Sequence, residues 1–304
     1  MTLYQNVHEL VGRTPLVALH AFPLPAGVHV YAKCEYFNPG GSVKDRLGEK
    51  LIRQAMVSGK LKPGGTLIEP TAGNTGIGLA LAAVGKGIHV IFCVPEKFSM
   101  EKQILMRALG AQVVNTPTGQ GMAGAVAKAR QLEKEIKGGY CPNQFANPDN
   151  PNAYFETLGP EIWEDLNGKV DVLVAGAGTG GTFTGTAEYL KKKNPNVKTV
   201  VVEPVGSILN GGKPGSHRTE GIGMEFIPSF VKTKYFDEIY TISDQDAFRR
   251  LKEAAEKEGL LIGSSSGSAL HAALLESEKS APGTNIVVIF PDSSERYLSE
   301  HIYD

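Results

Sequence analysis

Apolar runs and amphipathic stretches alternate along most of the chain, and their spacing predicts its elements. VHVYAKCEYF (Val28 to Phe37) reads as a buried strand. NPGGSVKDR (Asn38 to Arg46) then leads from a glycine-rich turn into the amphipathic run DRLGEKLIRQAM, a helix from Lys44 to about residue 58 that closes at Gly59. GTLIEP (Gly65 to Pro70) is a short apolar strand, which TAGNTG connects to the small-residue helical run IGLALAAVGKG. HVIFCVPE, SMEKQILMRALG, AQVVNTP and GMAGAVAKARQLEKEI continue as strand, helix, strand, helix. This alternation predicts a parallel sheet with right-handed crossovers and helices on both faces. NPDNPN (Asn147 to Asn152) breaks the pattern and marks a lobe boundary. Beyond it come a helix with the only tryptophan, Trp163, the strand–glycine–helix run VDVLVAGAGTGGTFTGTAEYLKKK and the strand KTVVVEPV. The passage GSILNGGKPGSHRTEGIGMEFIP is too rich in glycine and proline for regular structure, and loops of that length are usually functional. A helix over about 246–258, the turn GSSSGS, another helix and the strand NIVVIFPDSS complete the chain.

Composition narrows the class. The 304 residues, 41% hydrophobic and 21% charged, suit two lobes sharing a cleft or one large α/β domain. A net charge of -1 carries no footprint for nucleic acid or an anionic membrane, so a small-molecule partner is expected. MTLYQNVHELVGRTPL lacks the apolar core of a signal peptide, and no run approaches a membrane span, so a cytoplasmic protein is expected. Cys34, Cys93 and Cys141 are too widely spaced for a disulfide framework or a CxxC site, and Cys34 and Cys93 read as small core residues. The seven histidines form no HxxxH or HExxH spacing, and no metal site is expected.

The polar turns at strand ends carry the candidate chemistry. Lys44 stands where the glycine turn becomes a helix, and partial desolvation there lowers an amine's pKa and frees its lone pair for Schiff-base formation. GAGTGGT (Gly176 to Thr182) lies between a strand and a helix, where backbone amides and the helix dipole favour phosphate and Thr179 and Thr182 add hydroxyls. Residues 176, 178 and 181 also satisfy GxGxxG, with Glu203 ending the next strand, so a Rossmann-type NAD-dependent oxidoreductase is a rival reading. That rival has no use for the other turns. In TAGNTG, Thr71, Asn74 and Thr75 precede a helix and suit a carboxylate, or simply cap the helix. In GSSSGS, Ser265 either caps the next helix or donates to a ring nitrogen. A Schiff-base lysine, a phosphate cup, a carboxylate turn and a neutral hydroxyl make up the inventory of a pyridoxal 5′-phosphate site.

With these residues the chain resembles the cysteine synthase and cystathionine β-synthase family of fold type II pyridoxal-phosphate enzymes. The resemblance runs through GRTPLV, NPGGSVKDR, TAGNTGIGLA, QFANPDNP, GPEIW, GAGTGGT, EGIG, GSSSG and FPDSSERYLS, in that order. It implies two open twisted, mostly parallel sheets flanked by helices, like tryptophan synthase β, with the active site in the interlobe cleft. The implied lobes are a smaller mobile one over 41–146 and a larger one of 1–40 and 147–304. It implies that Lys44 carries the cofactor, that Asn74 bonds its 3′ oxygen, that Gly178, Thr179, Gly180, Gly181 and Thr182 surround its phosphate, and that Ser265 meets its pyridine nitrogen. Thr71, Ala72, Gly73, Thr75, Gln144 and Gly221 are implied on the substrate side. The implied reaction is β-replacement on O-acetylserine or serine by a thiol. A homodimer is implied, with a serine acetyltransferase as a further candidate partner.

Two features bear on the thiol. Many sulfide-using members read TSGNTG where this chain has Ala72, and Glu225 places a carboxylate directly after EGIG. Glu225 is expected to meet the ammonium of homocysteine, and Ala72 to make room for this larger acceptor. With SILNGG and FPDSSERYLS, these features resemble the bacterial O-acetylserine-dependent cystathionine β-synthase branch; a cysteine synthase using sulfide is the alternative. Neither haem dependence nor adenosyl-ligand activation is expected.

Overall fold

The apolar runs become strands and the amphipathic stretches helices. The computed structural model describes residues 3–71 and 73–304, so the expectation for Ala72 lies outside the described residues. In chain order the elements are β1 (Leu16–Ala18), β2 (His29–Cys34), α1 (Lys44–Val57), β3 (Thr66–Pro70), α2 (Asn74–Ala83), β4 (His89–Pro95), α3 (Met100–Ala108), β5 (Gln112–Thr116), α4 (Gly121–Glu135), β6 (Gly139–Tyr140), α5 (Asp149–Glu156), α6 (Leu158–Asp165), β7 (Val172–Gly176), α7 (Gly181–Lys193), β8 (Lys198–Pro204), β9 (Glu238–Ile242), α8 (Asp244–Glu258), α9 (Ser264–Glu278) and β10 (Asn285–Phe290). Among the described residues no helix is long and apolar enough to cross a membrane.

Three segments differ from the sequence reading. The strand expected to reach Phe37 stops at Cys34, because Glu35 turns inward in a 3-10 turn and accepts the Thr14 hydroxyl. NPDNPN does not stay irregular. Asn147 accepts the Asp149 amide and α5 begins there, with Pro151 in the first turn, where its missing N–H costs nothing. GSSSGS is not a turn but the opening of α9. Its small residues serve packing, since a Cβ on Gly267 would lie 2.2 Å from the Ala247 carbonyl of α8.

The chain divides into two units. The first joins the described residues of Met1–Val11 to those of Asn38–Asn150. Its four-stranded sheet, in the order β5-β4-β3-β6, is parallel throughout, and α4 packs Ala125 and Ala129 against Ile68 and Cys93. The N-terminal segment groups here because the His8 ring meets the Glu49 carboxylate of α1 and the Val84 carbonyl beyond α2. Glycines bring α1 and α2 into backbone contact. A Cβ on Gly48 would lie 2.2 Å from the Gly78 oxygen, and one on Gly78 would lie 2.4 Å from the oxygen of Lys44.

The second unit joins Gly12–Phe37 to Pro151–Asp304. Its sheet runs β1-β2-β10-β7-β8-β9, with only the β1–β2 pair antiparallel. Every second strand residue faces one core: Val30 and Ala32, Val172 and Val174, Val200 and Val202, and Ile286 and Val288 meet Ala269, Leu270 and Ala273 of α9. Each such buried Val, Ile or Leu contributes roughly 1.5–3 kcal/mol.

Both sheets reverse their winding direction at one pair of strands. From β3 the chain steps one way to β4 and β5, while β6 lies on the other side of β3; from β7 it steps to β8 and β9, while β10 lies on the other side of β7. Loops leaving the carboxyl ends of strands at such reversals diverge and open a crevice. TAGNTG leaves β3 and the Gln144 turn follows β6; GAGTGGT leaves β7 and PDSS leaves β10.

Gly48→Ala should therefore lower the stability of the first unit by about 1–3 kcal/mol, read as an earlier urea midpoint. Gly119→Ala, with no heavy atom within 4 Å of the added carbon, should leave that midpoint in place.

Candidate active site

In the first unit, the site residues gather around α1, α2 and the turn after β6. Lys44 opens α1, half-buried, with its amide on the Ser42 hydroxyl at 3.2 Å and no side-chain cap on its helix. Thr71 is buried beyond β3, and its hydroxyl oxygen accepts the amides of Gly73 and Gly76 at 3.1 and 3.2 Å. Gly73, at φ 148°, is the N-cap of α2 and offers no side chain to it, so the capping expected of this turn falls to Thr71. Asn74 is the half-buried first residue of α2, and Thr75 is buried behind it. The Thr75 hydroxyl donates to Gln144 Oε1 at 2.7 Å, which joins the two turns on either side of the winding reversal.

Gln144 is held on every side. Its Nε2 donates to the Pro70 carbonyl at 3.1 Å, its backbone N–H to Glu69 Oε1 at 2.8 Å, and its carbonyl accepts from Asn150 Nδ2 at 2.7 Å. Asn143 N–H donates to Glu69 Oε2 at 2.8 Å. Glu69 is fully buried, and burial pushes its carboxyl up to about 8. The two backbone amides and the Cys141 thiol pull the other way, while the Glu133 carboxylate adds to the rise.

In the second unit, the glycine loop GAGTGGT leads into α7. Gly180 is the N-cap, left-handed at φ 81°, with no side-chain cap bond, and the first turn of the helix holds no acidic residue. Gly178 and Thr179 are half-buried, while Gly181 and Thr182 open the helix and are buried. The EGIG segment closes on this loop: a Cβ on Gly178 would lie 2.3 Å from the Gly221 carbonyl, and one on Gly180 would strike Val231 at 2.5 Å and Met224 at 2.9 Å. The segment is itself pinned. Asp244 accepts the Arg218 and Thr219 amides, Ser264 that of Glu220, Ala177 that of Gly223 and Ser207 that of Met224. Gly221 is exposed at φ 86°, and Glu225 is exposed one residue past Met224. Ser265, 2% exposed, is the second residue of α9; the N-cap is Gly263, so Ser265 does not occupy the capping position.

The donor chemistry of these residues fits pyridoxal phosphate. An uncapped helix N-terminus with a left-handed glycine, no carboxylate in its first turn and hydroxyls at Thr179 and Thr182 is suited to a phosphate. Lys44 supplies an amine, and buried Ser265 a neutral hydroxyl.

Glu203 bears on the dinucleotide reading. It is fully buried, and its carboxylate takes the Leu209 and Asn210 amides at 2.8 and 3.1 Å and the Thr241 hydroxyl at 2.9 Å. Its oxygens are thus committed to the protein and do not face a ribose. Two further residues went unnoticed in the sequence. Glu69 does the same work in the first unit, and buried Lys102 lays its stem over Gly73, with Cδ 2.3 Å from where a Cβ would stand. The signal for both glutamates was present: LIEP and VVEP each end an apolar strand with a carboxylate, which is costly to bury unless amides meet it.

A family model described as pyridoxal-phosphate dependent enzyme matches residues 7–292. The O-acetylserine dependent cystathionine beta-synthase of Bacillus subtilis (strain 168) is 63% identical over 304 residues, covering 100% of this chain and 99% of that protein. The cysteine synthase of Helicobacter pylori (strain ATCC 700392 / 26695) is 51% identical over 305 residues and covers 100% of both. Among solved structures, the O-acetylserine dependent cystathionine beta-synthase from Helicobacter pylori matches with a TM-score of 0.97 at 51% identity, over 100% of each chain.

Glu69 carries a pH prediction. Its folded value lies above the ordinary 4.5, so the unfolded chain releases this proton first as pH rises. Its contribution to stability should therefore fall from about pH 4.5 to about pH 8 and then level off. Glu69→Gln, which has no proton to lose, should flatten that part of the curve of unfolding free energy against pH; an unchanged slope would contradict the assignment.

Proposed function

The chain belongs to the family of pyridoxal-phosphate dependent enzymes, and from that premise we propose that it replaces the acetoxy group of O-acetylserine with homocysteine to give cystathionine. The bound cofactor supplies an electron sink for the substrate's Cα–H and Cβ–O bonds. Lys44 would hold the cofactor, and its amine, when free, would act as the base that takes the Cα proton. The turn around Thr71, Thr75 and Gln144 receives the substrate carboxylate. Ser265 would meet the ring nitrogen with a hydroxyl, which would not keep that nitrogen protonated as a carboxylate would, and elimination would be favoured over transamination.

The observation that carries the choice of thiol is the placement of Glu225. Met224 packs against Gly180 of the glycine loop, and the next residue presents an exposed carboxylate. Such a charge suits the ammonium of an amino-acid thiol and has nothing to offer sulfide. The name of the Bacillus subtilis relative supports the same reading. Sulfide is the second reading, favoured by the name of the 51% identical Helicobacter pylori cysteine synthase.

Steady-state rates with O-acetylserine and each thiol test the choice. Glu225→Gly should cost about 1.5–3 kcal/mol in kcat/KM for homocysteine, roughly a ten- to hundredfold loss, and leave sulfide use unchanged. Equal losses for both thiols would refute the role of Glu225, and wild-type turnover with sulfide alone would make the chain a cysteine synthase.

A further inference from the structure

We propose that Glu69 is a positioning residue for the carboxylate of the amino-acid donor, acting through Gln144; this rests on the β-replacement reading above. Glu69 lies at the carboxyl end of β3, one residue before the Pro70 carbonyl that accepts from Gln144 Nε2. Its two oxygens take two consecutive amides, those of Asn143 and Gln144, at 2.8 Å each. Two neighbouring N–H groups aimed at one side chain call for two acceptor oxygens, which a carboxyl group provides; glutamine would turn an NH2 group toward one of them. Glu69 thereby fixes the backbone from which the Gln144 side chain reaches the Thr75 hydroxyl.

The consequence concerns which protons remain for a ligand. The Thr75 hydroxyl is spent on Gln144 Oε1, and one Nε2 hydrogen of Gln144 is spent on Pro70. The second Nε2 hydrogen is left to donate, and its direction is set by the backbone that Glu69 holds. A buried carboxyl group is a costly way to stabilise a strand end, and here it restrains a turn bonded to the substrate loop rather than the core. Glu203 makes the same kind of paired bonds in the second unit, to Leu209 and Asn210 rather than to the Gln144 turn, and so serves as a control for the loss of a buried carboxyl group as such.

The test titrates O-acetylserine into purified holoenzyme without any thiol and follows the cofactor's visible band. In Glu69→Gln the half-saturating concentration should rise roughly tenfold, the loss expected for one misaligned hydrogen bond, with cofactor content and the starting spectrum unchanged. Glu203→Gln should lower the unfolding midpoint but keep the wild-type half-saturation. An unchanged half-saturation in Glu69→Gln, or an equal rise in both variants, would overturn the proposal. Where Glu69→Gln does not fold, Glu69→Asp, which keeps both oxygens but withdraws them by one methylene, is read by the same criterion. A wild-type protein that holds the cofactor but does not respond to O-acetylserine would overturn the β-replacement reading and the proposal with it, whereas a responding wild type beside an unshifted variant overturns the proposal alone.

Discussion

An α-helix begins with amides that have no partner inside the helix, and the way this chain meets that need governs where ligands can bind. Helices α3 and α8 use the side chains of Ser99 and Ser243. Helices α2, α7 and α9 instead begin on Gly73, Gly180 and Gly263, none of which offers a side chain. An open N-terminus alone does not make a site, since α4 and α6 also lack a side-chain cap. What sets α2 and α7 apart is position: each follows the strand at which its sheet reverses direction. The start of α9 is tied to the same region of the second sheet by the bridge between Ile262 and Ser293, just past β10. Positive helix ends and diverging strand ends thus coincide, and under the proposed function these are the places for an anionic cofactor or substrate.

Open helix ends require that the neighbouring loops be held by something other than the ligand. The chain does this with buried carboxylates, Glu69 in one unit and Glu203 in the other, each just before a proline and each holding two consecutive amides. Glycines do the complementary work. The Gly221 carbonyl sits where a Cβ on Gly178 would stand, and the Gly78 backbone lies against the carbonyl of Lys44. The backbone of Lys44 and the GAGTGGT loop are therefore placed by backbone packing, which side-chain motion does not blur.

Much of this was legible in the sequence. The alternation of apolar and amphipathic runs gave the parallel sheets, and the strand-turn-helix junctions at TAGNTG and GAGTGGT are where the pattern puts them. GSSSGS misled because serine and glycine signal turns, whereas here they let α9 press on α8. The 3-10 turn at Glu35 depends on Thr14, a contact distant in sequence that no local pattern carries. Glu203 seemed to complete a dinucleotide fingerprint because spacing does not show which way a carboxylate faces. Glu69 and Lys102 drew no notice in the sequence, because burial is decided by tertiary packing.

Under the proposed function, pyridoxal phosphate is carried on Lys44 at the start of α1. Reducing the holoenzyme with borohydride, digesting it and locating the pyridoxyl adduct by mass spectrometry tests this most directly. One modified peptide is expected, containing Lys44 and lost in Lys44→Ala. An adduct on Lys102 or another lysine, or none on a protein that retains the cofactor, would contradict it.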